Sequence, residues 1–526
     1  MSLGTGGGRR DWVYVRRRTN YPARKYCRVA ASISISVVTL ALLFVVPTSE
    51  RHRPVENGQV AASAASSSIV GFADSQIFFY NGDQVAQTVQ RWVANNIRTV
   101  RIGIPWANVE TTKGLLDWTR ADRLIAATTA ANISVICAIT SSPMWAAVPG
   151  SLPPNGRPAS PDAYGNFTAR VAERYKGRIA AFEIWNEPNG IFGYRPVPDP
   201  GGYTDLLKAA YPKIKAVDPA VTILGGVLGS GKSWGTWTIN PVTFLTKMYA
   251  AGAAPFFDAL SYHPYSYTMK FSEGMYQADS PVDQLVRLRQ VMLANNEGAK
   301  GVWVTEFGAP TTRVSEATQA ALVSDMISSW RELPYGGPLM LYTTRDLNSA
   351  SLSDEDRFGV YQSNWTAKKA QQVVQSPPGT SAVFQRFATV VEPALGEVLS
   401  PVFAATSKVW AQMRTAAMLW ELTPGQFVWS PSPVGDLARS RKVVPMTAFA
   451  NGFQDFTGST PIRVWYSPTT GAHWGGKEFA KAWVPQLGLA TSDEAWVGGG
   501  TKVSFQYGSI TWSLFGGTKV WLNQQR

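Results

Sequence analysis

The 526-residue chain has two cysteines, three histidines and only 16% charged residues. Cys27 and Cys137 stand in unrelated settings, so no disulfide framework is implied and the compartment cannot be read from cysteine usage. His52, His263 and His473 are too few and too scattered for a histidine-rich metal site, and the reading carries neither metal nor cofactor. Long low-complexity tracts are missing as well: the 46 Gly and 34 Pro are dispersed without a period, which excludes collagen-like, coiled-coil and disordered chains. A dense basic patch is also lacking. The net charge is +13, but residues 1–58 hold ten Lys/Arg against three Asp/Glu, so the remaining excess is spread thinly and nucleic-acid binding is not expected.

One long apolar run is present. Val29 to Val46 reads VAASISISVVTLALLFVV, close to the length of a bilayer-spanning helix, and eight basic residues precede it. This predicts a cytoplasmic tail over 1–28, a membrane anchor over 29–47, a polar linker over 48–67 and an extracytoplasmic body. The alternative is a cleaved signal peptide, with Ala62-Ser63-Ala64 as the candidate site and a secreted product.

From Ser68 to about 370, β-branched runs alternate with amphipathic stretches. Eight strand candidates begin at Ile69, Thr99, Val135, Ala181, Thr222, Phe257, Val302 and Leu339, 30 to 46 residues apart. Such spacing predicts an α/β fold, a (β/α)8 TIM barrel. Residues 371–439 read as a linker and helical segment, with a helix expected over Ser407 to Glu421. The region 440–526 is rich in Gly and Trp, and its Gly452-Phe453-Gln454-Asp455-Phe456 and Gly500 to Phe505 segments form two imperfect repeats.

Two glutamates stand where such a barrel does chemistry. Glu187 follows the fourth strand in Trp185-Asn186-Glu187-Pro188-Asn189, and Glu306 ends the seventh in Val304-Thr305-Glu306-Phe307-Gly308. Three βα units separate them, placing them across one mouth at the C-terminal strand ends. Paired carboxylates across a cleft suit glycosidic bond cleavage. The flanking Trp185 and Pro188 suggest a raised pKa for Glu187, with Glu306 ionised near Arg101. Trp106 and Trp145 are candidates for stacking on sugar faces. Gly226 to Ser233 fits a phosphate-binding loop, but the Trp-rich segment that follows is a poor helix former, so it is read as an ordinary loop.

With these motifs in order, the region resembles the clan A glycoside hydrolases, retaining barrel enzymes, and looks most like family 39. The resemblance implies Glu187 as acid/base, Glu306 as nucleophile, and Asn186, Arg101, His263 and Tyr265 as substrate-site residues. The C-terminal region resembles the LGFP repeats of actinobacterial cell-envelope proteins in Leu487-Gly488-Leu489-Ala490 and Gly508 to Trp512, which implies binding to arabinogalactan or peptidoglycan. The expected function is hydrolysis of a polysaccharide at the envelope. The alternatives are a catalytically weak glycan-binding or wall-tethering protein, and a transglycosylase.

Overall fold

The computed structural model describes residues 70–151 and 156–523. The basic tail, the apolar run and its rival cleavage site, and the linker lie outside these residues. Among the described residues no helix is long and apolar enough to cross a membrane.

Eight parallel strands close into a barrel: β1 (Val70–Ala73), β2 (Thr99–Pro105), β3 (Ser134–Thr140), β4 (Ala181–Ile184), β5 (Thr222–Gly229), β6 (Ala259–His263), β7 (Val302–Phe307) and β8 (Gly336–Tyr342). The intervening helices are α1 (Gly82–Ala94), the single turn α2 (Trp106–Val109), α3 (Thr119–Ala130), α4 (Pro161–Arg174), α5 (Pro200–Val217), α6 (Pro241–Ala250), α7 (Pro281–Ala294) and α8 (Glu316–Trp330). Four of them begin the same way. Ser160-Pro161, Asp199-Pro200, Asn240-Pro241 and Ser280-Pro281 each place a side-chain acceptor at the N-cap and a proline, which needs no amide donor, at the first helical position. Because α6 begins only at Pro241, no helix N-terminus follows Lys232, and the phosphate-loop pattern lacks the element that would hold phosphate.

The barrel interior is filled by small and apolar side chains, Ala73, Ile136, Ala181, Leu224, Ala259 and Met340. Towards the C-terminal strand ends this gives way to a buried polar layer of Arg101, Glu183, Ser261 and Thr305, on which the functional site rests.

Beyond the barrel come α9 (Lys369–Gln375) and α10 (Ala382–Ala388), then a four-stranded antiparallel sheet of β9 (Phe403–Ala404), β10 (Trp410–Met413), β11 (Ala417–Thr423) and β12 (Gln426–Pro431). The helix expected over Ser407 to Glu421 is instead the β10–β11 hairpin, pairing Ala411 with Trp420 and Met413 with Met418. Its Ala, Met, Gln and Leu favour helix locally. Tertiary packing overrides them, since Leu419 enters a core with Phe387 and Leu395 while Met418 and Trp420 enter the core shared with the barrel.

Helix α11 (Ser432–Arg441) leads to a second sheet, β13 (Val444–Pro445), β14 (Phe453–Thr457), β15 (Ile462–Ser467) and β16 (Gly471–Gly476). Helix α12 (Lys477–Ala482) leads to a third, β17 (Ala495–Val497), β18 (Gly500–Phe505), β19 (Gly508–Ser513) and β20 (Gly517–Leu522). The two repeats expected over 440–526 coincide with the second and third sheets, and the first sheet stands where a linker and helix were expected. Its Pro393-Ala394-Leu395-Gly396 turn is matched by Pro485-Gln486-Leu487-Gly488 before the third sheet, each a short 3-10 turn closed by a glycine of positive φ.

Candidate active site

Glu187 stands just beyond β4 on a backbone bent twice into the left-handed region, at Trp185 (φ +72°) and at Glu187 itself (φ +44°). Each such residue costs about 1–3 kcal/mol and persists only where its surroundings fix it. Here Trp185 is buried and donates from Nε1 to the Gly193 carbonyl at 2.7 Å, while the Glu187 amide donates to Val227 at 3.0 Å. A side chain at Gly229 would sit 3.0 Å from the Glu187 carboxylate, so glycine there leaves the carboxylate room.

Glu306 arrives from β7, whose register slips between Val304 and Phe307. Successive residues of a regular strand point to opposite faces. The slip lets Thr305 and Glu306 both act inside: Thr305 Oγ1 meets His263 Nε2 at 2.9 Å and Ser261 Oγ at 2.6 Å, and Glu306 faces the cleft. One carboxylate oxygen of Glu187 and one of Glu306 lie within 4.8 Å of each other, with His263 between them.

Arg101 on β2 organises the site from below. Its guanidinium donates to Glu183 Oε2 at 2.5 Å, to Asn186 Oδ1 at 2.6 Å and to Glu306 Oε1. Tyr265 donates to the other Glu306 oxygen at 2.9 Å, so the carboxylate is held at both ends. Glu183 is fully buried and accepts from Ser261 at 2.7 Å. Ser261 in turn meets Thr305, Thr305 meets His263, and His263 Nδ1 lies 2.9 Å from Glu187 Oε1. An unbroken hydrogen-bonded chain thus ties Glu187 to Glu306 through the barrel.

The electrostatics correct one expectation. Burial alone would raise the Glu187 carboxyl, but the hydrogen bond and charge of His263, helped by Arg101, outweigh it and hold the group below its ordinary 4.5. His263 is the counterpart. Burial would lower it, yet Glu306 and Glu187 raise it above its ordinary 6.5, favouring an imidazolium that donates to Glu187 and Thr305.

Glu187, His263 and Glu306 would also suffice as ligands for a metal ion. The neighbouring Arg101 cation and the His263–Glu187 hydrogen bond already satisfy these groups, which favours a proton-handling site over a cation site.

The cleft above them has a volume of about 880 Å³ and is lined by Arg101, Asn186, Glu187, Tyr265, Glu306 and Tyr342, among others. Of the expected site residues, His263 is fully buried behind the glutamates and has no face for substrate, so it positions rather than binds. Trp106 and Trp145 are corrected more strongly. Trp106 is 1% exposed, stacked on Phe167 and bonded to Glu110; Trp145 packs edge-on against Trp106, and neither lines the cleft. The one-turn helix α2 carries Trp106 into the core, a local detail that residue type does not show.

The model of the cellulase family, glycosyl hydrolase family 5, matches residues 60–332. The chain belongs to this family. It is therefore a clan A barrel glycosidase, and the narrower family 39 likeness is one of fold. A family 39 glycoside hydrolase from Bacteroides cellulosilyticus WH2 is 18% identical, with 77% of this chain and 78% of that one covered at a TM-score of 0.50. A monomeric β-xylosidase from Caulobacter crescentus CB15 is 18% identical over 67% of this chain and 72% of that one, at a TM-score of 0.45. A family 5, subfamily 18 protein from Streptomyces cattleya is 15% identical over 60% and 82%, also at 0.45. No curated protein matches the sequence.

Several members of this glycosidase site carry little or no signal in the sequence. Glu183 was hidden inside an apolar strand, although a charge flanked by Phe182 and Ile184 is itself a signal that a partner exists. Ser261 and Thr305 carry no signal of their own. Asn189 anchors the loop after β5, accepting from the Gly229 amide at 2.9 Å and donating to the Gly229 and Ile239 carbonyls at 2.8 and 3.0 Å.

Proposed function

We propose that this glycosidase is a retaining enzyme that cleaves O-glycosidic bonds of a polysaccharide at the cell envelope. The observation that carries the mechanism is the approach of the Glu187 and Glu306 carboxylates to within 4.8 Å. Retaining enzymes hold their carboxyls about 5–5.5 Å apart, whereas inverting ones need about 6.5–9.5 Å to seat a water.

In the first step a Glu306 oxygen attacks the anomeric carbon as the glycosidic bond breaks, and Glu187 gives its proton to the leaving oxygen. In the second, Glu187 takes a proton from water, which displaces Glu306 and restores the starting configuration. Arg101 and Tyr265 fix the attacking carboxylate; Asn186 uses its oxygen on Arg101, leaving its amide nitrogen for the sugar 2-hydroxyl. Proton NMR of the first product from an aryl glycoside should show the substrate's own anomeric configuration. Inversion would overturn the mechanism.

The lowered Glu187 and raised His263 favour the proton on the imidazole side of their 2.9 Å contact, from which it passes to Glu187 as the leaving group departs. Loss of that proton near the raised histidine value sets the alkaline limb of kcat/KM. His263→Gln keeps hydrogen-bonding capacity but removes the proton store, so this limb should move to lower pH. An unmoved limb would refute the pairing. The same shifts bear on stability. The lowered Glu187 stabilises the fold above 4.5 and loses that contribution as pH falls through its depressed value. The raised His263 contributes fully below 6.5 and loses its contribution as pH rises through its elevated value.

The envelope location rests on the apolar run over 29–47, which would leave the chain single-pass with a cytoplasmic N-terminus, or secreted if cleaved. It also rests on the C-terminal sheets as a wall-binding module, resembling LGFP repeats, for arabinogalactan or peptidoglycan. Trp465 is fully buried and serves as core, and Trp483 and Trp512 pack partly against it, whereas Trp496 is 72% and Trp521 58% exposed. Exposed indole faces suit sugar rings. Trp496→Ala with Trp521→Ala in the full-length chain should reduce retention on isolated walls several-fold in moderate salt. Retention equal to that of the unchanged protein would count against the module as a binder.

A further inference from the structure

Outside the catalytic centre, three aromatic side chains crowd one rim of the cleft with no core to serve. Phe192 follows β4 and is 66% exposed; Trp234 and Trp237 follow β5 and are 68% and 46% exposed. Trp237 bridges the other two, its ring 6.1 Å from Phe192 and 5.4 Å from Trp234, with the two indoles tilted by only 31°. This patch is continuous with the cleft, because Phe192 and Thr238 line it.

The patch is also rigidly registered to Glu187. The Ile191 amide donates to the Trp237 carbonyl at 2.7 Å, and the Trp234 amide to Thr238 at 3.0 Å. The Ile239 amide donates to the Asn189 carbonyl at 2.8 Å, beside the Asn189 side-chain bonds to Gly229 and Ile239. Three large apolar rings held open to water have paid their ordering cost before any ligand arrives, as a binding surface requires.

We propose that Phe192, Trp234 and Trp237 form a stacking platform for the leaving-group sugars of the polysaccharide. The side assignment rests on Glu187 being the acid/base. That residue reaches the glycosidic oxygen, so the departing chain lies on its side of the mouth, and the platform rises from the loops after β4 and β5, away from Glu306 on β7. A neutral, apolar, planar surface selects the carbon-hydrogen faces of pyranose rings over anionic groups. The same platform would seat an acceptor sugar on the covalent intermediate, where transfer forms a new glycosidic bond as the Glu306 ester breaks and Glu187 takes the acceptor's hydroxyl proton.

The test compares the full-length protein with the Trp234→Ala/Trp237→Ala variant. The probes are 4-nitrophenyl glycosides in gluco, xylo and manno configuration, their counterparts extended at the non-reducing end, and the matching β-1,4-linked oligosaccharides of two to six sugars. Expected is a fall of at least about tenfold in kcat/KM on the longer oligosaccharides, with nitrophenyl glycosides cleaved as before and Trp→Phe recovering part of the loss. Equal rates on the oligosaccharides would overturn the platform. Comparable loss on the extended nitrophenyl glycosides would place it on the opposite side of the scissile bond and overturn the assignment. If the unchanged protein cleaves none of these probes, the glycosidase reading of the site fails first, and that outcome is distinct from the other two.

Discussion

On the proposed retaining mechanism, Glu306→Gln should abolish turnover on every substrate, by on the order of 10⁴-fold or more, because an amide cannot form the glycosyl ester on which both steps would depend. Glu187→Ala should behave differently. Proton donation is worth about 10²–10⁴-fold, but only where the leaving group needs a proton, so dinitrophenyl glycosides should still release dinitrophenolate quickly while oligosaccharides stall. The second step then lacks its base, and added azide, an anion that needs none, should speed turnover and give a glycosyl azide. Equal losses of the two variants on both substrate types would refute the assignment. The geometry makes the split sharp: Glu306 is 12% exposed and gripped at both oxygens by Arg101 and Tyr265, whereas Glu187 is 36% exposed and open to the leaving group.

The second large effect belongs to Arg101. It is 1% exposed and answers a fully buried carboxylate, Glu183, so Arg101→Ala should cost roughly 3–5 kcal/mol of stability by leaving that charge unpaired in the barrel. Adding Glu183→Gln should recover much of the stability, since the buried charge is then gone. Activity should stay low in both variants, because Glu306 still lacks its Oε1 donor and Asn186 its anchor. Chemical denaturation with parallel kcat/KM measurements separates the two effects. If the double variant regained activity as well as stability, Arg101 would be a structural counter-ion and nothing more.

All eight barrel strands overlap the sequence-predicted places, the sixth beginning two residues later and the eighth three residues earlier than expected, because parallel strands buried on both faces read as plain apolar runs with helices between them. Glu187 and Glu306 were legible because each interrupts such a run at its C-terminal end. Glu183 was not, since the same run swallows it, and its meaning appears only when Arg101 from another strand arrives beneath it. Aromatic residues were the least legible. Trp106 and Trp145 looked like sugar platforms, but Trp106 is core and Trp145 packs half-buried against it. Phe192, Trp234 and Trp237 are exposed but lie in loops with no periodicity, the two tryptophans just beyond a phosphate-loop pattern ending at Ser233. The β10–β11 hairpin failed for a related reason: helical propensity is local, and the two cores that claim alternate residues of β11 are not.

The slipped register of β7 has a further bearing on how such a site changes over time. Thr305 and Glu306 both work inside the barrel because one backbone irregularity turns consecutive side chains the same way. The aim of Glu306 is thus encoded by residue count as much as by residue type. A substitution at Val304 or Phe307 alters packing and leaves the count intact. A one-residue deletion that straightened the strand would rotate either the hydroxyl or the carboxylate out of the site, dismantling the hydrogen-bonded chain or the cleft without touching any of their other members.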